Sequence, residues 1–228
     1  MCMRPDPGMR RALRTRALCL ATMLCLSSAA QSGTLNVSIV DQSGHAVEDA
    51  VVTASAADGR AARPAGEADG VVDQINKTFV PYVTAVRVGT LVRFPNSDNI
   101  HHHVYSFSPP KRFELPLYAG KSAPPVQFDK PGIVVMGCNI HDWMVGYVFV
   151  SDTPYFGKSE AKGVVQLHDL PSGEYLVRVW HPDMDNPEQP ALRSIRVEDQ
   201  NVVDSSWTIA LHPSLRPRRA PVPTRPGY

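Results

Sequence analysis

The chain has 228 residues, with 23 Lys+Arg against 22 Asp+Glu and a formal net charge of +1. That balance excludes a nucleic-acid binder driven by a basic field, and it points to no strongly acidic or basic partner. Fifteen glycines and 21 prolines suit a chain of many turns. The N-terminus comes first. Arg4, Arg10, Arg11, Arg14 and Arg16 face a single acid, Asp6, and the apolar run 17–26 (ALCLATMLCL) and the small residues 27–30 follow. A basic start, an apolar stretch of about ten residues and small residues at a cut after Ala30 make a secretory signal peptide over residues 1–30 and imply a periplasmic protein. The run is short of the roughly 20 residues that span a bilayer, so no membrane span is expected. Lipidation of Cys19 or Cys25 would call for a small residue before the cysteine, and both follow Leu.

The leader holds five of the 23 Lys+Arg and one of the 22 Asp+Glu, which leaves 18 against 21, a net charge of −3. It also holds Cys2, Cys19 and Cys25, so the mature chain keeps one cysteine, Cys138. Exported domains usually pair their cysteines. A lone one is a buried bystander, an intermolecular bridge, a nucleophile or a metal ligand.

After the leader the chain reads as short strands. They are 35–40 (LNVSIV), 50–54, 83–88, 90–94, 103–107 (HVYSF), 133–136, 146–150, 164–167, 175–180, 194–197 and 207–211. Turn residues separate them, no window has the pattern of a long amphipathic helix, and the fold class is all-β, of sandwich type. Residues 56–70 and 212–228 read as loose segments, the latter a disordered Pro/Arg-rich tail.

Between the strands at 133–136 and 146–150 lies GCNIHDWM, in which Cys138, His141 and Met144 stand at C-x2-H-x2-M. Two imidazoles and a thiolate in a trigonal set, with a weak axial thioether, form a blue-copper site. Three of those ligands can come from this loop. The upstream imidazole is available at His101, His102 or His103. Core filling by Cys and Met is the plain alternative, but His141 and Asp142 interrupt the apolar run. Structural zinc would ask for a further Cys or His, and a Cys-His nucleophile for an orienting group and an oxyanion site. A c-type haem lacks its C-x-x-C-H. His181 could bind metal with Asp183 and Asp185, although a polar turn accounts for the same residues. Trp143 could shield the site, meet a partner or simply pack. Asn96 and Asp98 read as turn formers, and 113–118 (FELPLY) as a possible cover of the site.

The loop, with FDKPGIVVMG before it and VGYVFV after it, resembles the cupredoxins of the plastocyanin and amicyanin kind, as does VGTLVRFPNSD ahead of the histidines. The resemblance covers about 77–150. It implies a Greek-key β-sandwich, one type 1 copper, and electron exchange with a redox partner protein such as a cytochrome, dehydrogenase or oxidase, with no enzymatic turnover. The ligand set it implies is His102, Cys138, His141 and Met144. His102 matches the ligand of the family's His-Asn-Val pattern, with His103 in the Asn place. Strand alternation favours His103 instead, because His101, His103, Tyr105 and Phe107 share the more apolar face.

The flanks carry a second resemblance. Residues 33–54 (GTLNVSIVDQSGHAVEDAVVTA) and 163–180 (GVVQLHDLPSGEYLVRVW) are similar to the two parts of a carboxypeptidase-regulatory or transthyretin-like β-sandwich. The expected organisation is a sandwich in two parts, 31–56 and 156–211, around a copper domain at 57–155. In that arrangement 35–40 shares a sheet with a strand from 164–180. A continuous cupredoxin with extensions at both ends is the other arrangement. The whole resembles exported proteins labelled methylamine utilization protein. The function implied is single-electron transfer; the alternative is a copper-binding or ligand-binding envelope module for storage, delivery or structure.

Overall fold

The structure is a computed structural model and describes residues 32–60, 69–120 and 123–213. The expected leader, and the expected tail from residue 214 onward, lie outside them. Among the described residues there is no helix, and the fold is all-β. No helix there is long and apolar enough to cross a membrane.

Strands β1 (Ser32–Asp41) and β2 (Val51–Ala56) open the chain. A central group follows: β3 (Asp69–Val71), β4 (Asp73–Ile75), β5 (Thr78–Val80), β6 (Val83–Arg87), β7 (Leu91–Arg93), β8 (His102–Ser106), β9 (Phe113–Tyr118), β10 (Val126–Gln127), β11 (Gly132–Cys138) and β12 (Val145–Ser151). The chain then closes with β13 (Tyr155–Lys158), β14 (Val164–Pro171), β15 (Gly173–Trp180), β16 (Ala191–Val197) and β17 (Val202–Ile209).

The first and last groups pair with each other. One sheet runs β14-β1-β17, with β1 antiparallel to β14 and parallel to β17. The other runs β13-β2-β15-β16. Leu35, Val37 and Ile39 alternate with polar residues along β1, so one face is apolar, as a half-buried strand requires. That face meets Tyr175, Val177 and Val179 of β15 and Trp207 of β17 in one buried core.

The central strands form a five-stranded sheet, β6-β12-β11-β8-β9, facing a three-stranded sheet, β10-β7-β3. Phe79, Phe94, Phe128, Val134, Met136 and Val148 are among the residues buried between them. The β4–β5 hairpin turns at Asn76 and Lys77, both with positive φ. A third cluster joins the two sandwiches on the outer face of the five-stranded sheet. Val51 and Trp180 from the flanking strands pack there on Tyr82, Val83, Tyr147 and Phe149.

Three elements escape a local reading. Phe113–Tyr118 is a full edge strand of the five-stranded sheet, and its Pro116 sits where a strand tolerates a missing donor. Tyr155–Lys158 pairs with β2 rather than forming a bare junction. The third concerns β8: His102, Val104 and Ser106 are buried, the face opposite to the one that alternation alone favours, while His101 and Phe107 are exposed. The aromatic side chains of Tyr105 and Phe107 stack on the outside, with ring centroids 5.2 Å apart.

Candidate metal centre

Backbone pairing brings the site together. Strands β11 and β8 run antiparallel, with Cys138 opposite Val104 and Gly137 opposite Tyr105. Both Cys138 and His102 therefore point into the central core, at the same end of neighbouring strands. The loop 139–144 folds back at once. The Asn139 N–H donates to the His103 carbonyl at 3.2 Å, and the Met144 N–H donates to the His141 carbonyl at 2.9 Å. These bonds satisfy the backbone of a loop too short to pair with itself. They also turn His141 toward Cys138.

The Cys138 Sγ lies 3.7 Å from His102 Nδ1 and 3.7 Å from His141 Nδ1. The three donor atoms all fall within 4.8 Å of one another, and among the described residues no other His, Cys, Asp or Glu joins them. His102 is fully buried and His141 only 9% exposed. Met144 is buried in the same core cluster as Cys138. Trp143 lies against His141, with ring centroids 5.2 Å apart.

The far side of His102 is also held. Its Nε2 is 2.8 Å from Asp98 Oδ2. A carboxylate acceptor there places the proton on Nε2 of the neutral ring, which leaves the Nδ1 lone pair facing Cys138. Asp98 belongs to a loop sewn by buried Asn96. The Asn96 side-chain amide donates to the carbonyls of Ile100 and Tyr118 at 2.8 and 2.9 Å, and its oxygen accepts the Asp98 N–H at 3.0 Å.

Burial and contact shift the charged states in opposite directions. Burial raises the Cys138 thiol, but His102 and the backbone N–H groups of His103 and Ile140 outweigh it and carry the thiol below its ordinary value. Burial lowers His102, yet Cys138 and Asp98 together carry it above its ordinary value. Burial pulls His141 down, and the charges of His102 and Lys77 add to that. A metal bound here would displace the proton that Cys138 and His102 share, and would then meet a thiolate and two imidazoles.

The other sequence candidates separate clearly. His101 is exposed and outside the cluster. The His103 ring points away, with Nε2 2.9 Å from Glu114 Oε1. Its backbone, however, supplies both the N–H near Cys138 and the carbonyl that receives Asn139. His181 is buried, and its Nδ1 accepts the Asp183 N–H at 3.1 Å, while Asp185 pairs with His212 Nε2 at 3.2 Å. These residues form a turn and no donor cluster. Asp98 was legible as a turn former only; its spacing four residues before His102 was the available signal.

The donor chemistry fits copper. One thiolate and two imidazoles are donors that suit copper, and the buried Met144 of the same loop could add a thioether. Zinc in a structural site takes a fourth strong ligand, which the described residues do not offer here.

No protein-family model matches the chain, and no curated protein does. Solved structures give partial likenesses. A copper-containing nitrite reductase (NirK) from Thermus scotoductus SA-01 is 26% identical with a TM-score of 0.36, over 40% of this chain and 24% of that one. A purple cupredoxin from Nitrosopumilus maritimus is 24% identical with a TM-score of 0.33, over 36% of this chain and 99% of that one. A Cu(I) form of an amicyanin variant is 22% identical with a TM-score of 0.34, over 46% of this chain and 100% of that one.

Proposed function

We propose that the protein is an exported type 1 copper protein of cupredoxin kind, carrying single electrons between redox partners in the periplasm. The observation that carries this reading is the buried His102–Cys138–His141 donor set on one short loop and one neighbouring strand. Bound copper in such a set supplies a one-electron couple. His102, Cys138 and His141 would hold it, and buried Met144 from the same loop would add a weak thioether donor. The protein's own contribution is rigidity. Strand pairing fixes Cys138 and His102, and hydrogen bonds within the loop fix His141 and Met144. A donor set held by β-structure has little room to rearrange between oxidation states, which favours fast exchange over catalysis. His141, at the edge of the core with Trp143 beside it, is the ligand through which a partner protein would couple. The flanking sandwich, of carboxypeptidase-regulatory kind in this reading, covers the outer face of the copper sheet through Trp180.

The experiment is one spectrum of the copper-loaded protein. Cys138 bound to oxidised copper gives an intense visible charge-transfer band, and Cys138→Ala abolishes it. A colourless protein that prefers zinc after copper loading rejects the carrier. Colourless retention of Cu(I) that resists oxidation favours storage or delivery instead.

A further inference from the structure

The β4–β5 hairpin has no donor atom in the cluster, yet it is tied to it. The Asp98 carboxylate accepts three hydrogen bonds. Its Oδ1 takes the Asn76 N–H at 2.6 Å. Its Oδ2 takes the Lys77 N–H at 2.8 Å and meets His102 Nε2 at 2.8 Å. Asn76 and Lys77 are the two turn residues, with φ of 53° and 59°. Such a two-residue turn favours Gly at its second position, and Lys77 stands there instead. Bonds to a carboxylate are about twice as strong as neutral ones and hold the turn in place. The Asp98 side chain is 12% exposed, so water competes little for its oxygens.

We propose that Asp98 is a positioning residue, whose carboxylate locks the His102 ring to the hairpin turn and aims Nδ1 at Cys138 before any metal arrives. The proposal deepens the copper reading and rests on it for the identity of the ion alone. Two donors bind one oxygen and the third binds the other, so an asparagine cannot serve all three. Whichever way its amide is turned, the NH2 group faces at least one N–H. The Asn76–Lys77 turn thereby becomes part of the ligand support, although it lies more than 20 residues before His102 in the chain.

The test compares wild type, Asp98→Asn and Asp98→Ala. In the metal-free protein, at alkaline pH where the ring is neutral, long-range 15N–1H correlation reads the His102 tautomer. Wild type should show the proton on Nε2, and both variants should show a mixture or the other tautomer. Hydrogen exchange at the Asn76 and Lys77 amides should accelerate at least about tenfold in the alanine variant. Cu(I) affinity, from competition with a chelator, should fall about 10–100-fold. A purely structural role for Asp98 would change exchange but leave the tautomer alone, and that result overturns the proposal. So does Cu(I) affinity within twofold of wild type in both variants. Should the variants not fold, a wild-type ring carrying its proton on Nδ1 overturns it equally. If wild type binds no copper at all, the copper reading fails, while the tautomer and exchange measurements still decide the positioning role.

Discussion

Trp180 is the residue on which the attachment of the two sandwiches can be measured. It ends β15, is 1% exposed, and lies across the gap from β12. Its ring centroid is 5.9 Å from that of Tyr147 and 5.4 Å from that of Phe149, and Tyr147 in turn meets Tyr82 edge-on at 5.4 Å. Truncating a buried Trp to Ala costs about 3–5 kcal/mol in lost contacts and cavity. One feature of this site works against that figure. Among the described residues the buried Trp180 Nε1 has no hydrogen-bond partner. An unsatisfied buried donor costs about 1–3 kcal/mol, and truncation removes it. Trp180→Ala should therefore destabilise by only about 2 kcal/mol, the difference between the middles of those ranges. Trp180→Phe loses less contact and sheds the same donor, so it should fall within about 1 kcal/mol of wild type. Urea unfolding of the metal-free protein, followed by far-UV CD and by fluorescence, gives both numbers. With the interface weakened, the two probes should also cease to coincide, because each sandwich has its own core. The copper site, in a different cluster, should keep its spectrum. Two results would refute the reasoning. Trp180→Ala within 0.5 kcal/mol of wild type would mean that this contact couples nothing; that threshold is roughly the scatter of surface substitutions. Trp180→Phe as damaging as Trp180→Ala would mean that the indole N–H is satisfied after all.

The three histidines should separate on single replacement by Ala. Loss of His102 should abolish the visible band, with partial restoration by added imidazole, while loss of His101 or of the His103 ring should leave it, because His103 acts through its backbone; equal tolerance of all three would place the upstream ligand elsewhere. Met144→Leu conserves volume and should cost less than about 1.5 kcal/mol in unfolding experiments. It should keep the colour and raise the potential measured by voltammetry, since losing the thioether disfavours Cu(II); an unchanged potential would remove Met144 from the ligand set. Gly137→Ala would place a Cβ 2.9 Å from the Tyr105 ring and should cost about 1–3 kcal/mol. In a Tyr105→Ala background that cost should vanish, and a cost unchanged there would show that the ring is not the obstacle.

The legible part of this protein is what neighbouring residues decide. The spacing C-x2-H-x2-M sets Cys138, His141 and Met144 on one loop whatever surrounds it, since seven consecutive residues between two strands cannot separate far. The period-two burial of β1 is equally local, because alternation along a strand needs no knowledge of its partner. Strands as short as Asp73–Ile75, Thr78–Val80 and Val126–Gln127 left no such trace. What only the tertiary structure decided are the relations across strands. The choice among His101, His102 and His103 is a matter of register between β8 and β11: a shift of one residue would turn the other face inward. Alternation alone favoured the face with Tyr105 and Phe107, because its side chains are the more apolar. The pairing of β8 with β11 turns the smaller set inward, and the Tyr105 ring lies outside over Gly137 and against Phe107. The parallel pairing of β1 with β17 and the burial of Trp180 against Tyr147 are likewise contacts between distant residues, which no local pattern encodes. The Asp98 carboxylate belongs to both classes. Its place in a polar turn was visible in PNSDN, but its hold on a ring four residues on and a hairpin more than 20 residues back exists only once the core has closed around them.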